Sequence, residues 1–110
     1  MFSFEEIDSA IKRINKQGYI EIYLPEHPNS NKYGYILEHR FIVEIKIGRY
    51  LTKEEVVHHI DEDKTNNDID NLMLFKNQKE HSSFHIKLKK YGFNNQIRRQ
   101  IEERWKEYER

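Results

Sequence analysis

At 110 residues the chain suffices for one domain around a single hydrophobic core. Its 19 Lys+Arg and 19 Asp+Glu sum to a net charge of zero, which argues against a uniformly basic nucleic-acid binder. The absence of cysteine excludes disulfides and thiolate zinc sites, so any metal must be held by His, Asp, Glu or Asn. The balance is uneven along the chain: residues 1–75 carry 9 Lys+Arg against 14 Asp+Glu, net −5, and residues 76–110 carry 10 against 5, net +5. No apolar run approaches the ~18–20 residues of a membrane span. Met1–Phe2–Ser3–Phe4 ahead of Glu5 and Glu6 lacks the basic start of a signal peptide. The expectation is a soluble cytoplasmic protein with no membrane partner, its oligomeric state left open.

Ser3 with Glu6 forms a capping box, and Ile7, Ala10, Ile11 and Ile14 follow at helical spacing, which predicts a helix over 4–16 ending before Gly18. Tyr19–Leu24, rich in β-branched and aromatic residues and stopped by Pro25, predicts a strand. A polar loop runs to Gly34, and His27 within it is expected at the surface, solvated or hydrogen-bonded. Leu37, Phe41 and Ile45 predict a helix over 36–47 closed by Gly48. Val56–Ile60 and Leu72–Phe75 read as two strands joined by the turn-rich segment Asp61–Asn71. Residues 78–90 and 94–108 read as helices broken near Gly92. Fourteen aromatics in so polar a chain predict that rings do much of the core filling.

The histidines bracket the hairpin. Neighbours on a strand face opposite ways, so His58 and His59 divide labour rather than chelate one ion together. His81 and His85 share a helix face, and a helix packed across the hairpin can bring one of them beside His58. Two imidazoles would then be available for a divalent cation, with His59 left as a base.

The run Val57–His58–His59–Ile60–Asp61, then Asp63–Lys64, Asn66–Asn67, Ile69 and Asn71–Leu72, followed by Glu80–His81 and His85, closely resembles the motif of HNH endonucleases, the ββα-metal nucleases of phage and homing type. Gly34–Arg40 and Ile47–Thr52 resemble segments that precede this motif, so the resemblance spans roughly residues 19–85. It implies an α+β fold: a small single domain over 1–110 with a ββα-metal core near 54–90, an N-terminal helix and strand, and a basic C-terminal helix near 94–108. By the same resemblance His58 and His81 are metal ligands, His59 is the general base, and Asn71 braces the loop and helps orient that base. His85 and Asn67 support the ligands from behind or contact a phosphate. The family often has Gly where this chain has Glu62, a departure that bears on the local turn.

The chemistry suits these residue types. A neutral imidazole takes a proton from water near physiological pH, and a divalent ion with open positions stabilises charge on the phosphate. Imidazole ligands suit Zn2+, Ni2+, Co2+ or Mn2+, whereas acidic surroundings favour Mg2+. The expected cofactor is one divalent ion, Mg2+ or Mn2+ first. An EF-hand is excluded, because Asn66 and Leu72 stand where that loop needs Gly and Glu. Asp61, Asp63, Asp68 and Asp70 are expected to make side-chain-to-backbone turns. Lys87, Lys89, Lys90, Arg98 and Arg99, in an acid-free run, are the expected contacts to a DNA backbone, with a solvated, ion-paired helix face as the plainer reading. Arg40 and Arg49 are weaker phosphate contacts or structural ion pairs. The expected activity is phosphodiester hydrolysis in duplex DNA to a 5′-phosphate and a 3′-hydroxyl. The alternatives are a noncatalytic DNA-binding module with a structural metal and, more remotely, an RNA substrate.

Overall fold

The computed structural model describes residues 5, 7 and 10–92 together with 99, 102, 103, 105 and 106; the side chains of 85, 87, 88 and 91 lie outside it. Three short strands, β1 (Lys12–Ile14), β2 (Ile20–Tyr23) and β3 (Tyr35–Leu37), form an antiparallel meander. Helix α1 (Glu38–Ile47) leaves β3 directly. Strands β4 (Val56–His59) and β5 (Leu72–Phe75) pair antiparallel as a separate hairpin, and α2 (Gln78–Tyr91) follows. This is a small α+β fold with the strand, strand, helix order of an HNH core.

The N-terminal segment differs from the helix expected over 4–16. Glu5 and Ile7 are helical, but Lys12–Ile14 is strand. The cause is the turn after it. The Asn15 side chain accepts hydrogen bonds from the Gln17 and Tyr19 amides, and Gly18 takes φ +91°, a conformation that only glycine adopts without strain. The resulting hairpin sets Arg13 opposite Glu21, and their side chains pair at 2.9 Å. Ile7 enters the core, whereas Ile11 and Ile14 stay exposed.

Helix α1 starts two residues later than expected because Tyr35–Leu37 pairs with β2. Its end falls at Gly48, in the left-handed conformation, whose amide donates to the Glu44 carbonyl. Helix α1 buries Phe41, Ile42 and Val43 against Ile22, Ile36, Leu51, Val57, Leu72 and Leu74. A second cluster, Met73, Phe75 and Phe84, lies across the hairpin, and Trp105 packs against both. The hairpin is therefore covered on both faces, which explains why all four β5 residues are buried. Phe41, Phe75 and Phe84 fill core positions as expected, although Tyr23, Tyr33 and Tyr50 remain exposed.

His27 is not at the surface. It is 2% exposed, with its ring 2.6 Å from a buried Glu44 carboxylate oxygen. Its Nδ1 accepts from the Asn29 amide, so Nε2 carries the proton and donates to Glu44, whose other oxygen accepts from the Leu51 amide. The pair thus ties the 25–34 loop and the segment after α1 to the middle of α1. The expected helix over 94–108 lies largely outside the described residues. Among the described residues no helix is long and apolar enough to cross a membrane.

Candidate active site

The hairpin register decides what each histidine meets. His58 stands opposite Met73 and His59 opposite Leu72. Side-chain alternation then sends His58 to the face of Met73 and Phe75, covered by α2, and His59 to the face of Leu72 and Leu74, covered by α1. Both rings are largely buried.

On the α2 face, His58 Nδ1 lies 2.9 Å from His81 Nε2, and the rings sit against Phe75 and Phe84. Gln78, one turn before His81, has its side-chain amide 3.2 Å from His81 Nδ1; with the amide oxygen turned to that atom it would accept from Nδ1–H and leave the Nε2 lone pair toward His58. Nitrogens at about 2.0–2.1 Å from a shared cation, at 90–109° to each other, stand about 2.9–3.4 Å apart, so the pair fits a divalent ion. Among the described residues no group of three or more His, Cys, Asp or Glu side chains converges. A cation held by two imidazoles alone would leave positions for water and phosphate oxygens.

On the α1 face, His59 Nε2 is 2.6 Å from Asn67 Oδ1, and Asn67 Nδ2 donates to Glu38 Oε1 at 2.9 Å. Lys12 Nζ reaches Glu38 Oε2 at 2.9 Å. The His59 ring leans on His39 at 4.8 Å between centroids and lies 6.1 Å from Tyr19. His39 is stacked on Tyr19, and its Nδ1 is buried with no hydrogen-bond partner. Burial, then the neighbouring His59 and Arg40, push the His39 pKa down to about 3, so this ring is neutral throughout the physiological range.

The loop between the strands is held by its own polar side chains. Asn71 Nδ2 donates to Asp61 Oδ1 and to the Asn66 carbonyl, while Asn71 Oδ1 accepts from the Asp61 amide. Asn71 thus braces the loop, and it is Asn67 that touches His59. Hydrogen bonds from Asn66, then Asp63 and Asn71, hold the Asp61 carboxyl below the usual carboxylate range; Thr65 does the same for Asp63. The aspartates make turns, as their spacing suggested. Glu62 takes φ +63°, at the position where glycine is common in the resembling family. Lys64 crosses from this loop to the Gln17 carbonyl and lies over the Tyr19 ring, tying the loop to the β1–β2 turn.

His85 and Lys87 lie in α2 with side chains outside the described set, and Arg98 is outside it altogether. Lys89 and Lys90 occupy the exposed last turn of α2, and Arg99 is exposed. Arg40 and Arg49 are structural. Arg40 donates to the carbonyls of Glu55 and Thr52, and Arg49 binds the Glu55 carboxylate through two nitrogens. Sequence reasoning missed the roles of Glu38, His39 and Lys12. Glu38–His39 fell inside a segment noted as family-like, but its meeting with Asn67 spans 29 residues, which no local pattern encodes.

Residues 37–82 match the family model described as HNH endonuclease. No curated protein and no solved structure matches the chain. The matched segment runs from the start of α1 through His81 and so contains Glu38, His58, His59, Asn67, Asn71 and His81. Over this segment the chain is similar to the HNH endonuclease family.

Proposed function

We propose that the protein is a metal-dependent DNA endonuclease that hydrolyses phosphodiester bonds, with His59 as general base and one divalent cation, Mg2+ or Mn2+, held by His58 and His81. One observation carries this reading. Adjacent histidines are sent to opposite faces, one to a second imidazole 2.9 Å away and the other to a separate hydrogen-bonded pocket. A divalent cation bound at His58 and His81 would supply Lewis-acid stabilisation of the charge that develops on the scissile phosphate. His59, kept off that pair by strand alternation, retains a nitrogen to take a proton from water. Asn71 keeps the loop closed behind the two histidines, and the apolar walls of Phe75 and Phe84 limit water around His58. Lys89 and Lys90, on the helix that carries His81, would meet the DNA backbone, with Lys87, Arg98 and Arg99 in the same basic run. His85, one turn beyond His81 in sequence, would support the ligands or contact a phosphate.

A purely structural metal site closes with about four protein ligands, which the described residues do not assemble. The test is supercoiled plasmid with Mg2+ or Mn2+. Nicking that stops on chelation and in His59→Ala supports the proposal. Undiminished nicking by His59→Ala, or DNA binding without any scission, overturns it.

A further inference from the structure

We propose that Glu38, acting through Asn67, dictates which nitrogen of His59 carries the proton, so that Nδ1 is the basic atom. This rests on His59 as the base and adds two positioning residues to it. Glu38 is a buried side chain ion-paired with Lys12, whose Nζ stands 2.9 Å from Oε2. An ionised carboxylate can only accept hydrogen bonds. The Asn67 group facing Glu38 Oε1 at 2.9 Å must therefore be the NH2, and the group facing His59 must be the carbonyl oxygen. The reverse orientation would set two acceptor oxygens against each other. A carbonyl oxygen also only accepts, so at 2.6 Å from it His59 Nε2 must hold the hydrogen. In a neutral imidazole the lone pair then resides on Nδ1.

The polarity thus runs one way along Lys12, Glu38, Asn67 and His59, joining β1, the first turn of α1, the loop and the end of β4. Glu38, Asn67 and His59 are each under a tenth exposed, so water competes poorly for these bonds. The Asn67 carbonyl, itself oriented by Glu38, fixes the rotation and the tautomer of the ring. The third group of a nucleophile–base–orienter set serves its histidine in the same way.

The experiment is long-range 1H–15N correlation of the histidine rings in the full-length 15N-labelled chain, metal-free, at about pH 8, well above the ordinary histidine range. Nicking kinetics and Mn2+ titration calorimetry accompany it. In the wild type His59 should show a protonated Nε2 and a bare Nδ1. Glu38→Gln keeps an oxygen to accept from Asn67 Nδ2 and should keep that tautomer. Asn67→Ala and Glu38→Ala should show mixed tautomers and a kcat at least about tenfold lower, equivalent to about 1.4 kcal/mol. Their KM for plasmid and their Mn2+ affinity should change less than about twofold, a split that loss of folding would not produce. A protonated Nδ1 in wild-type His59 overturns the proposal even if neither alanine variant folds. An unaltered tautomer in a folded Asn67→Ala overturns it as well. Nicking that survives in His59→Ala with the expected wild-type tautomer would instead sink the general-base reading and leave the ring assignment standing.

Discussion

His39 predicts a stability defect that grows on acidification. Its ring is packed between Tyr19 and His59, and burial first, then the neighbouring His59 and Arg40, hold its pKa at about 3 against 6.5 in the unfolded chain. Between those values the unfolded state carries a proton that the folded state refuses, so unfolding becomes easier as pH falls, by about 1.4 kcal/mol per unit. Above 6.5 neither state is protonated and the term vanishes. Lowering pH from about 6.5 to 4.5 should therefore cost about 2.5 kcal/mol through this one residue. That is a large share of the roughly 5–15 kcal/mol that holds a domain of this size together. His39→Phe keeps an aromatic ring in the slot and removes both the titration and the buried, unpartnered Nδ1. Urea unfolding of both proteins across this pH range isolates the term, since every other group titrates alike in both. The wild type should lose about 2.5 kcal/mol more than the variant. Parallel stability curves, or a His39 resonance that titrates near 6.5 in the folded protein, would refute the reasoning.

Three further outcomes follow from the same contacts. Glu62→Gly relieves a left-handed backbone and should raise Tm by about 2–4 °C, the net of strain removed and chain entropy added; a lower Tm contradicts this. His27→Ala leaves the Glu44 carboxylate buried without its ring partner and should cost about 3–5 kcal/mol in chemical denaturation. A loss below about 1 kcal/mol would mean that the pair is not a staple of the fold. The Arg49 hydrogen bonds, more than any other contact, hold the Glu55 carboxyl down to about 2, so their stabilisation is present above the ordinary Glu value of 4.5 and fades as pH falls toward 2. Because Arg49 is half-exposed, Arg49→Ala should cost only about 0.5–1 kcal/mol near neutrality. The cost should vanish at the acidic end; a penalty independent of pH rules out the ion pair as its source.

The hairpin, its two helices and the adjacent histidines were legible in the sequence because each rests on local periodicity or on a run of turn formers. Strand alternation alone separated His58 from His59, and a helix two residues beyond the hairpin was enough to bring His81 to His58. The N-terminal strand was not legible, because Ile7, Ala10, Ile11 and Ile14 satisfy a helical period. What overrides that period is the Asn15–Gly18 turn and pairing with β2. His27 was misplaced because nothing near it announces Glu44, 17 residues on. Asn67 was singled out without its partner for the same reason. The polar chain behind His59 is assembled from β1, α1 and the loop, and contacts between such distant segments are a property of packing, not of sequence pattern.

In the proposed division of labour, His58 and His81 bind the cation whereas His59 does the proton transfer. Mn2+ titration calorimetry and plasmid nicking, measured on His58→Ala, His59→Ala and His81→Ala, test that division directly. All three variants should lose nicking, but only His58→Ala and His81→Ala should lose the bound ion, while His59→Ala binds it as the wild type does. Loss of the ion in His59→Ala, or an intact ion in His58→Ala, would contradict the account.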